Sequence, residues 1–181
     1  AQQYPQLPEP DMTLNIAGLG PCNDDPDRSL HLNSQQPVTL LVHGCTGSSG
    51  RFRTLSEVLA FHGQQSACFS YDDRDSMIRS SRQLSEAVGQ LAAQLTLPHV
   101  TVIGHSQGGL VARKAFIDGR EDTRAPQVKL QLVTVSAPLS GIRAARSCGM
   151  PLVQIGSLGL NNIVCWLISG DKWYEITAAS G

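Results

Sequence analysis

The sequence predicts an α/β protein built on a doubly wound, mostly parallel sheet. Three observations carry that expectation. Short apolar runs of strand length alternate three times with segments of helical periodicity. The connections between them are short. The run at residues 38–42 is apolar along nearly its whole length, as a strand covered on both faces is.

The elements follow in chain order. Residues 1–11 carry Pro5, Pro8 and Pro10 and read as an extended arm. Residues 12–17 and 29–32 are short strand candidates. Residues 18–26, rich in Gly, Asn, Asp and Pro, read as a loop between them. Residues 38–42 form the first continuous apolar strand. Phe52, Leu55, Leu59 and His62 then recur at helical spacing, with Gly63 as a stop. Residues 66–71 are the next strand, leading into Asp72-Asp73-Arg74-Asp75. Leu84, Val88, Leu91 and Leu95 mark one face of a long amphipathic helix closed by Pro98. Residues 100–104 form a strand, and residues 110–116 a helix that ends near Asp118-Gly119. Residues 128–135 form the last strand of the series, leading into Ser136-Ala137-Pro138. Ligands bind such sheets at the carboxyl ends of the strands. His43-Gly44, Asp72-Asp73, Ser106 and Ala137-Pro138 all fall there, so four loops are expected to meet on one rim.

Composition narrows the function. The 181 residues suit a single domain, 1–181. The net charge is −1, and no block of like charges occurs. This argues against nucleic-acid binding and against electrostatic attraction to an anionic membrane. Ala1-Gln2-Gln3 suits the start of a mature secreted chain, so a secreted or periplasmic location is expected. Of the five cysteines, Cys68 reads as a buried free thiol. Cys148 and Cys165 bracket a Gly- and Pro-containing loop and are candidates for a disulfide, and Cys22 and Cys45 are unassigned. No Cys or His spacing suggests a metal site.

The chemistry lies in Gly104-His105-Ser106-Gln107-Gly108, placed between a strand run and a helix run. Strand, then Gly-x-Ser-x-Gly, then helix is the order of a nucleophile elbow. The tight turn requires small residues beside the Ser and sets its hydroxyl at the head of a helix. A second signal lies about 60 residues upstream, where the strand Leu40-Leu41-Val42 runs into His43-Gly44-Cys45-Thr46-Gly47. On these motifs the chain resembles secreted lipases and esterases of the α/β-hydrolase fold over residues 37–141. The likeness is to bacterial lipases with a His-Gly-x loop and a Gly-His-Ser-Gln-Gly elbow.

That resemblance implies a carboxylic ester hydrolase, a lipase by preference, working through an acyl-enzyme on Ser106. It implies an oxyanion hole from the backbone N–H groups of Gln107 and Cys45, with Thr46 as the alternative if the loop is shifted by one. It makes residues 12–17 and 29–32 the antiparallel strands that open the sheet. No organic cofactor is implied. Similar lipases hold a structural Ca²⁺, for which no ligand set is assigned here. The expected partner is an ester or lipid substrate, with transient contact to a lipid surface. A non-catalytic ligand-binding relative and an acyltransferase of the same fold are the alternatives.

The family order is Ser, then Asp or Glu, then His, and this sequence departs from it. All five histidines precede Ser106. His43 is expected to brace its loop, His105 to be turned away from the hydroxyl, and His31, His62 and His99 to be remote. Asp171 is the acid candidate, ahead of Asp118, Asp122 and Glu175. The sheet is expected to lack its last strands, which in the family carry the acid and the His. Three explanations compete: a C-terminally incomplete chain, an inactive relative, and a base from another chain. The first is preferred. Residues 147–170 carry no charge and mix Leu, Ile, Val and Trp166 with Gly and Asn. Residues 142–175 are therefore read either as a lid or cap over the rim or as further core.

Overall fold

A computed structural model describes residues 6–118 and 128–139. Among the described residues the principal sheet has five strands: β2 (Leu19–Gly20), β4 (Val38–Val42), β5 (Gln65–Phe69), β6 (His99–His105) and β7 (Lys129–Val135). Their spatial order is β2-β5-β4-β6-β7. The last four are parallel, and β2 lies antiparallel on the edge. Three helices connect them: α1 (Arg53–Phe61), α2 (Met77–Gln94) and α3 (Gln107–Arg113). A 3₁₀ turn, Ser49–Phe52, leads into α1, and a π-helical turn, Lys114–Asp118, extends α3.

Alternation along each strand divides the sheet into two faces. Val38, Leu40 and Val42 of β4, Ala67 and Phe69 of β5, and Val100 and Val102 of β6 point to one side. There they meet Leu84, Val88 and Leu91 of α2 and Val111 and Ala112 of α3. Leu41, Cys68 and Ile103 point to the other side and pack with Cys22 and Phe52. Strands sandwiched in this way must be apolar on successive residues, which is the pattern the sequence shows. The mouth of α2 is capped by Ser76, whose hydroxyl accepts the Arg79 N–H.

Two expectations need correction. The strands at 12–17 and 29–32 do not open the main sheet. They shorten to β1 (Met12–Leu14) and β3 (Leu30–Leu32), which pair with each other in a separate two-stranded ribbon, Met12 opposite Leu32. The antiparallel edge is β2 instead, formed within the segment that composition marks as a loop. Two residues are too few to leave a periodic signal, and β2 is held by its neighbours. Its register sets Leu19 opposite Phe69 and Gly20 opposite Cys68. Cys68, expected to be a free thiol, is bonded to Cys22 at a Cα–Cα distance of 5.0 Å. That bond pins the loop after β2 to β5. Cys148 and Cys165 lie outside the described residues, as does the expected lid or cap at 142–175.

Strand order reverses direction between β4 and β6. The chain goes from β4 to β5 on one side, then returns to β6 on the other. The crevice beyond the carboxyl ends of β4 and β6 is the switch point of the sheet, where open α/β folds bind ligands. Register makes these ends level: Val42 lies opposite Phe69 on β5 and opposite Gly104 on β6.

Candidate active site

Ser106 is the first residue after β6 and the N-cap of α3, with φ 54° and ψ −122°. A non-glycine residue there is strained, at a cost of about 1–3 kcal/mol, and persists only where its surroundings hold it. Several contacts do so. The Ser106 N–H donates to Val135 O at the end of β7 (2.9 Å), and its carbonyl accepts from Gly109 N–H (3.0 Å). The flanking glycines leave no room for anything larger. A Cβ on Gly104 would sit 2.6 Å from Gly108 O, and one on Gly108 would sit 2.4 Å from the carbonyl oxygens of Val42 and His43. The elbow therefore closes against the end of β4 with backbone touching backbone.

The loop after β4 lies alongside. A Cβ on Gly44 would approach the Ser106 Cβ to 2.9 Å, so this backbone borders the serine directly. Cys45 is exposed, and Thr46 follows with φ 54°. Thr46 is β-branched, and positive φ is a true outlier for that residue type. Its N–H is held by the carboxylate of Asp73 from the loop after β5. Its carbonyl accepts from the Arg51 guanidinium at 3.2 Å. Gln107, 5% exposed, donates from its side-chain Nε2 to the Asp73 backbone carbonyl at 3.1 Å.

His43 is 3% exposed and fully engaged in bracing. Its Nδ1 meets Gly44 O at 3.0 Å, and Tyr71 N–H points at its Nε2 at 3.5 Å, so the Nδ1-protonated tautomer satisfies both. Its ring stacks on Tyr71, with centroids 4.5 Å apart. The Tyr71 hydroxyl donates to His43 O at 2.9 Å. Burial, then the nearby charges of Asp73 and Cys45, push the Tyr71 phenol well above its ordinary range, so it remains a donor at every working pH.

The structure thus brings Ser106, Gln107, Cys45, Thr46 and Asp73 onto one rim, together with the Ala137-Pro138 loop, whose Ala137 side chain abuts Gly109. Of the remaining histidines, His105 stays at the rim and the others are remote. His105 lies beside Gly44 at the exposed end of β6, and His99 begins that strand, about 20 Å away at strand rise. His31 bonds Thr13 Oγ1 at 3.0 Å on the β1–β3 ribbon, and His62 caps α1. Asp118 ends the π turn after α3. Asp171, Asp122 and Glu175 lie outside the described residues. Among the described residues no group of three or more His, Cys, Asp and Glu side chains is placed to hold a metal ion. No helix among them is long and apolar enough to cross a membrane.

Asp24 is a rim-supporting residue that sequence reasoning missed. Its carboxylate accepts Ser48 Oγ (3.1 Å) and Gly50 N–H (2.9 Å), bracing the far end of the loop after β4. Those two bonds hold its pKa below the usual carboxylate range. The only sequence signal was its place in an Asn- and Asp-rich turn.

Comparison with solved structures gives the fold a wider setting. The mature form of Bacillus licheniformis lipase BlEst2 matches with a TM-score of 0.59 at 19% identity, over 96% of this chain and 64% of that one. The propeptide form of the same lipase gives a TM-score of 0.61 at 19% identity, over 96% and 35%. An inhibited esterase B from Lactobacillus rhamnosis gives 0.53 at 14% identity, over 97% and 62%. The chain therefore spans less than two thirds of the length of these proteins, and it shares their α/β-hydrolase fold. Curated protein sequences give no match. The sequence profile described as palmitoyl protein thioesterase matches residues 37–179, from the start of β4 through the elbow and beyond, and on that match the chain belongs to the palmitoyl protein thioesterase family.

Proposed function

We propose that this protein is a serine hydrolase of carboxylic esters, lipid esters by preference, acting by acyl transfer through Ser106. The observation that carries the reading is the strained elbow. A serine at φ 54°, walled by glycines and bordered by the Gly44 backbone, has no structural use that an unstrained turn would not serve better. Likeness to a lipase and an esterase, and membership of a thioesterase family, agree with it. The family also favours acyl thioesters as a second substrate class, since both share the acyl-enzyme.

In this reading Ser106 Oγ attacks the acyl carbonyl, and the Oγ proton passes to a base. The oxyanion is held by the backbone N–H groups of Gln107 and Cys45. Thr46 is disfavoured as a donor, because its N–H is already engaged by Asp73. The tetrahedral intermediate collapses, expelling the alcohol or thiol with the proton returned from the base. Water, activated by the same base, then releases the acid and restores Ser106. His43 is occupied as a brace, so the base in this reading is a different histidine. The Cys22–Cys68 disulfide supports an oxidising location, secreted or periplasmic.

The test uses the whole protein that carries this chain. A fluorophosphonate should label it covalently, and a chromogenic butyrate ester and a butyryl thioester should both turn over. Ser106→Ala should abolish labelling and lower both rates by on the order of 10⁶. Survival of more than a few per cent of the rate would remove Ser106 from the mechanism. Absence of labelling and turnover in the wild type would favour a non-catalytic binding protein.

A further inference from the structure

We infer that Asp73 is the positioning residue that sets the oxyanion hole, a role resting on the proposed function above. Asp73 belongs to the loop after β5 yet reaches both loops that would supply the oxyanion donors. Its carboxylate accepts the N–H of Thr46, the residue after Cys45. Its backbone carbonyl accepts Gln107 Nε2 at 3.1 Å. One residue therefore ties the Cys45 side of the hole to the Gln107 side.

Local geometry shows why such a tie is needed. Thr46 has φ 54°, which a β-branched residue adopts only when held. The peptide that Asp73 grips is the Cys45–Thr46 peptide, so its plane fixes the direction of the chain at Cys45. The loop that carries Asp73 is itself stiffened: Asp75 N–H donates to Asp72 O (3.0 Å) and Arg74 N–H to Asp72 Oδ1 (2.9 Å). A turn closed on itself makes a firm anchor. The side-chain oxygen of Asp73, placed by that turn, holds the Thr46 peptide against its backbone strain. Asp73 acts through Thr46 and Gln107.

Positioning and charge make opposite demands on substitution. Asp73→Asn keeps an acceptor oxygen at the same distance and removes the charge. Asp73→Glu keeps the charge and moves the acceptor by one methylene. On the whole protein, Asp73→Asn should retain kcat for the butyrate ester within about fivefold. Asp73→Glu should lose on the order of 10- to 100-fold in kcat with KM within twofold, since a displacement of about 1 Å costs that much. A trifluoromethyl ketone, whose adduct carries the oxyanion, should weaken in Ki in proportion to the fall in kcat/KM. A merely structural role would leave that Ki unchanged in the folded fraction. Full activity in Asp73→Glu, or a loss in Asp73→Asn that matches or exceeds it, overturns the inference. Ser106→Ala in the same assay separates the two levels: a dead Ser106→Ala beside a fully active Asp73→Glu sinks the positioning role alone. An active Ser106→Ala sinks the function reading on which that role rests.

Discussion

The tightest contact in the site yields a quantitative prediction. In Gly108→Ala the new Cβ would lie 2.4 Å from Val42 O and from His43 O, whereas ordinary van der Waals contact begins near 3.4 Å. The shortfall is about 1 Å, against two backbone atoms. Neither can yield. Val42 is fully buried in the central strand, bonded to β5 on one side and β6 on the other, and His43 is fixed by Gly44 and Tyr71. The head of α3 must therefore retreat, carrying the Gln107 N–H away from the loop of Cys45. Overpacking of this kind costs about 1–3 kcal/mol. At about 2–4 °C per kcal/mol for a chain of this size, Tm should fall by about 2–12 °C.

Activity should suffer far more than stability. A stability of about 5–15 kcal/mol, typical of natural domains, leaves the variant folded at 25 °C. Yet a 1 Å displacement of reacting groups costs on the order of 10² in rate. Thermal melting and kcat/KM on a chromogenic butyrate ester, both on the whole protein, read the two effects separately. Gly89→Ala is the control. Gly89 lies within α2, where an added methyl would meet nothing within 4 Å, and helix propensity should make that change stabilising by about 0.5–1 kcal/mol. A Gly108→Ala enzyme with wild-type rate and melting would refute the close-packed elbow.

Two further outcomes test the supports of the rim. Replacing Cys22 and Cys68 together by Ser opens a link across 46 residues, whose loop-closure entropy is worth about 4 kcal/mol; an unchanged denaturant midpoint would show that the bond adds nothing. Asp24 has a depressed folded-state pKa, so its brace on Ser48 and Gly50 contributes above the ordinary carboxylate value of 3.8 and is lost as pH falls through the lower folded value. Melting of the wild type and of Asp24→Asn should differ at neutral pH and converge as the pH falls below 3.8; curves that stay parallel there would contradict the brace.

How far the sequence foretold this arrangement depended on the range of the contacts involved. β4 was legible because burial on both faces forces an apolar residue at nearly every position, and β5, β6 and β7 because their apolar residues gather in runs of strand length. The long helix α2 was legible because Leu84, Val88 and Leu91 repeat on one face. The edge strand β2 was not, since Leu19–Gly20 is too short for any period and exists only by pairing with Cys68–Phe69. The same contact hid the disulfide: Cys22 sits in a polar turn, and only the fold brings it beside a strand 46 residues later. The ribbon of β1 and β3 was foreseen as strands but assigned to the wrong sheet, because alternation reports burial and not the partner.

The rim divides along the same line. Gly104-His105-Ser106-Gln107-Gly108 could be read because its requirement is local: a turn so sharp that its neighbours must lack side chains. The bond from Thr46 to Asp73 could not, because 27 residues separate the two and nothing in either loop names the other. Register is what joins them. Val42 faces both Phe69 and Gly104, so β4, β5 and β6 end level and discharge residues 43–46, 70–73 and 105–107 onto one edge. The same levelness brings His43 and His105 beside the loops of this rim. His43 is the residue at which β4 leaves the sheet. Its ring must fill the gap between the departing loop and Tyr71, and both its nitrogens are used in doing so. His105 is the last residue of β6 and is exposed, and its ring lies, like Ser106, beside Gly44. The fold uses the His43 imidazole here to brace the loop beside the serine, which leaves proton transfer in the proposed mechanism to another group.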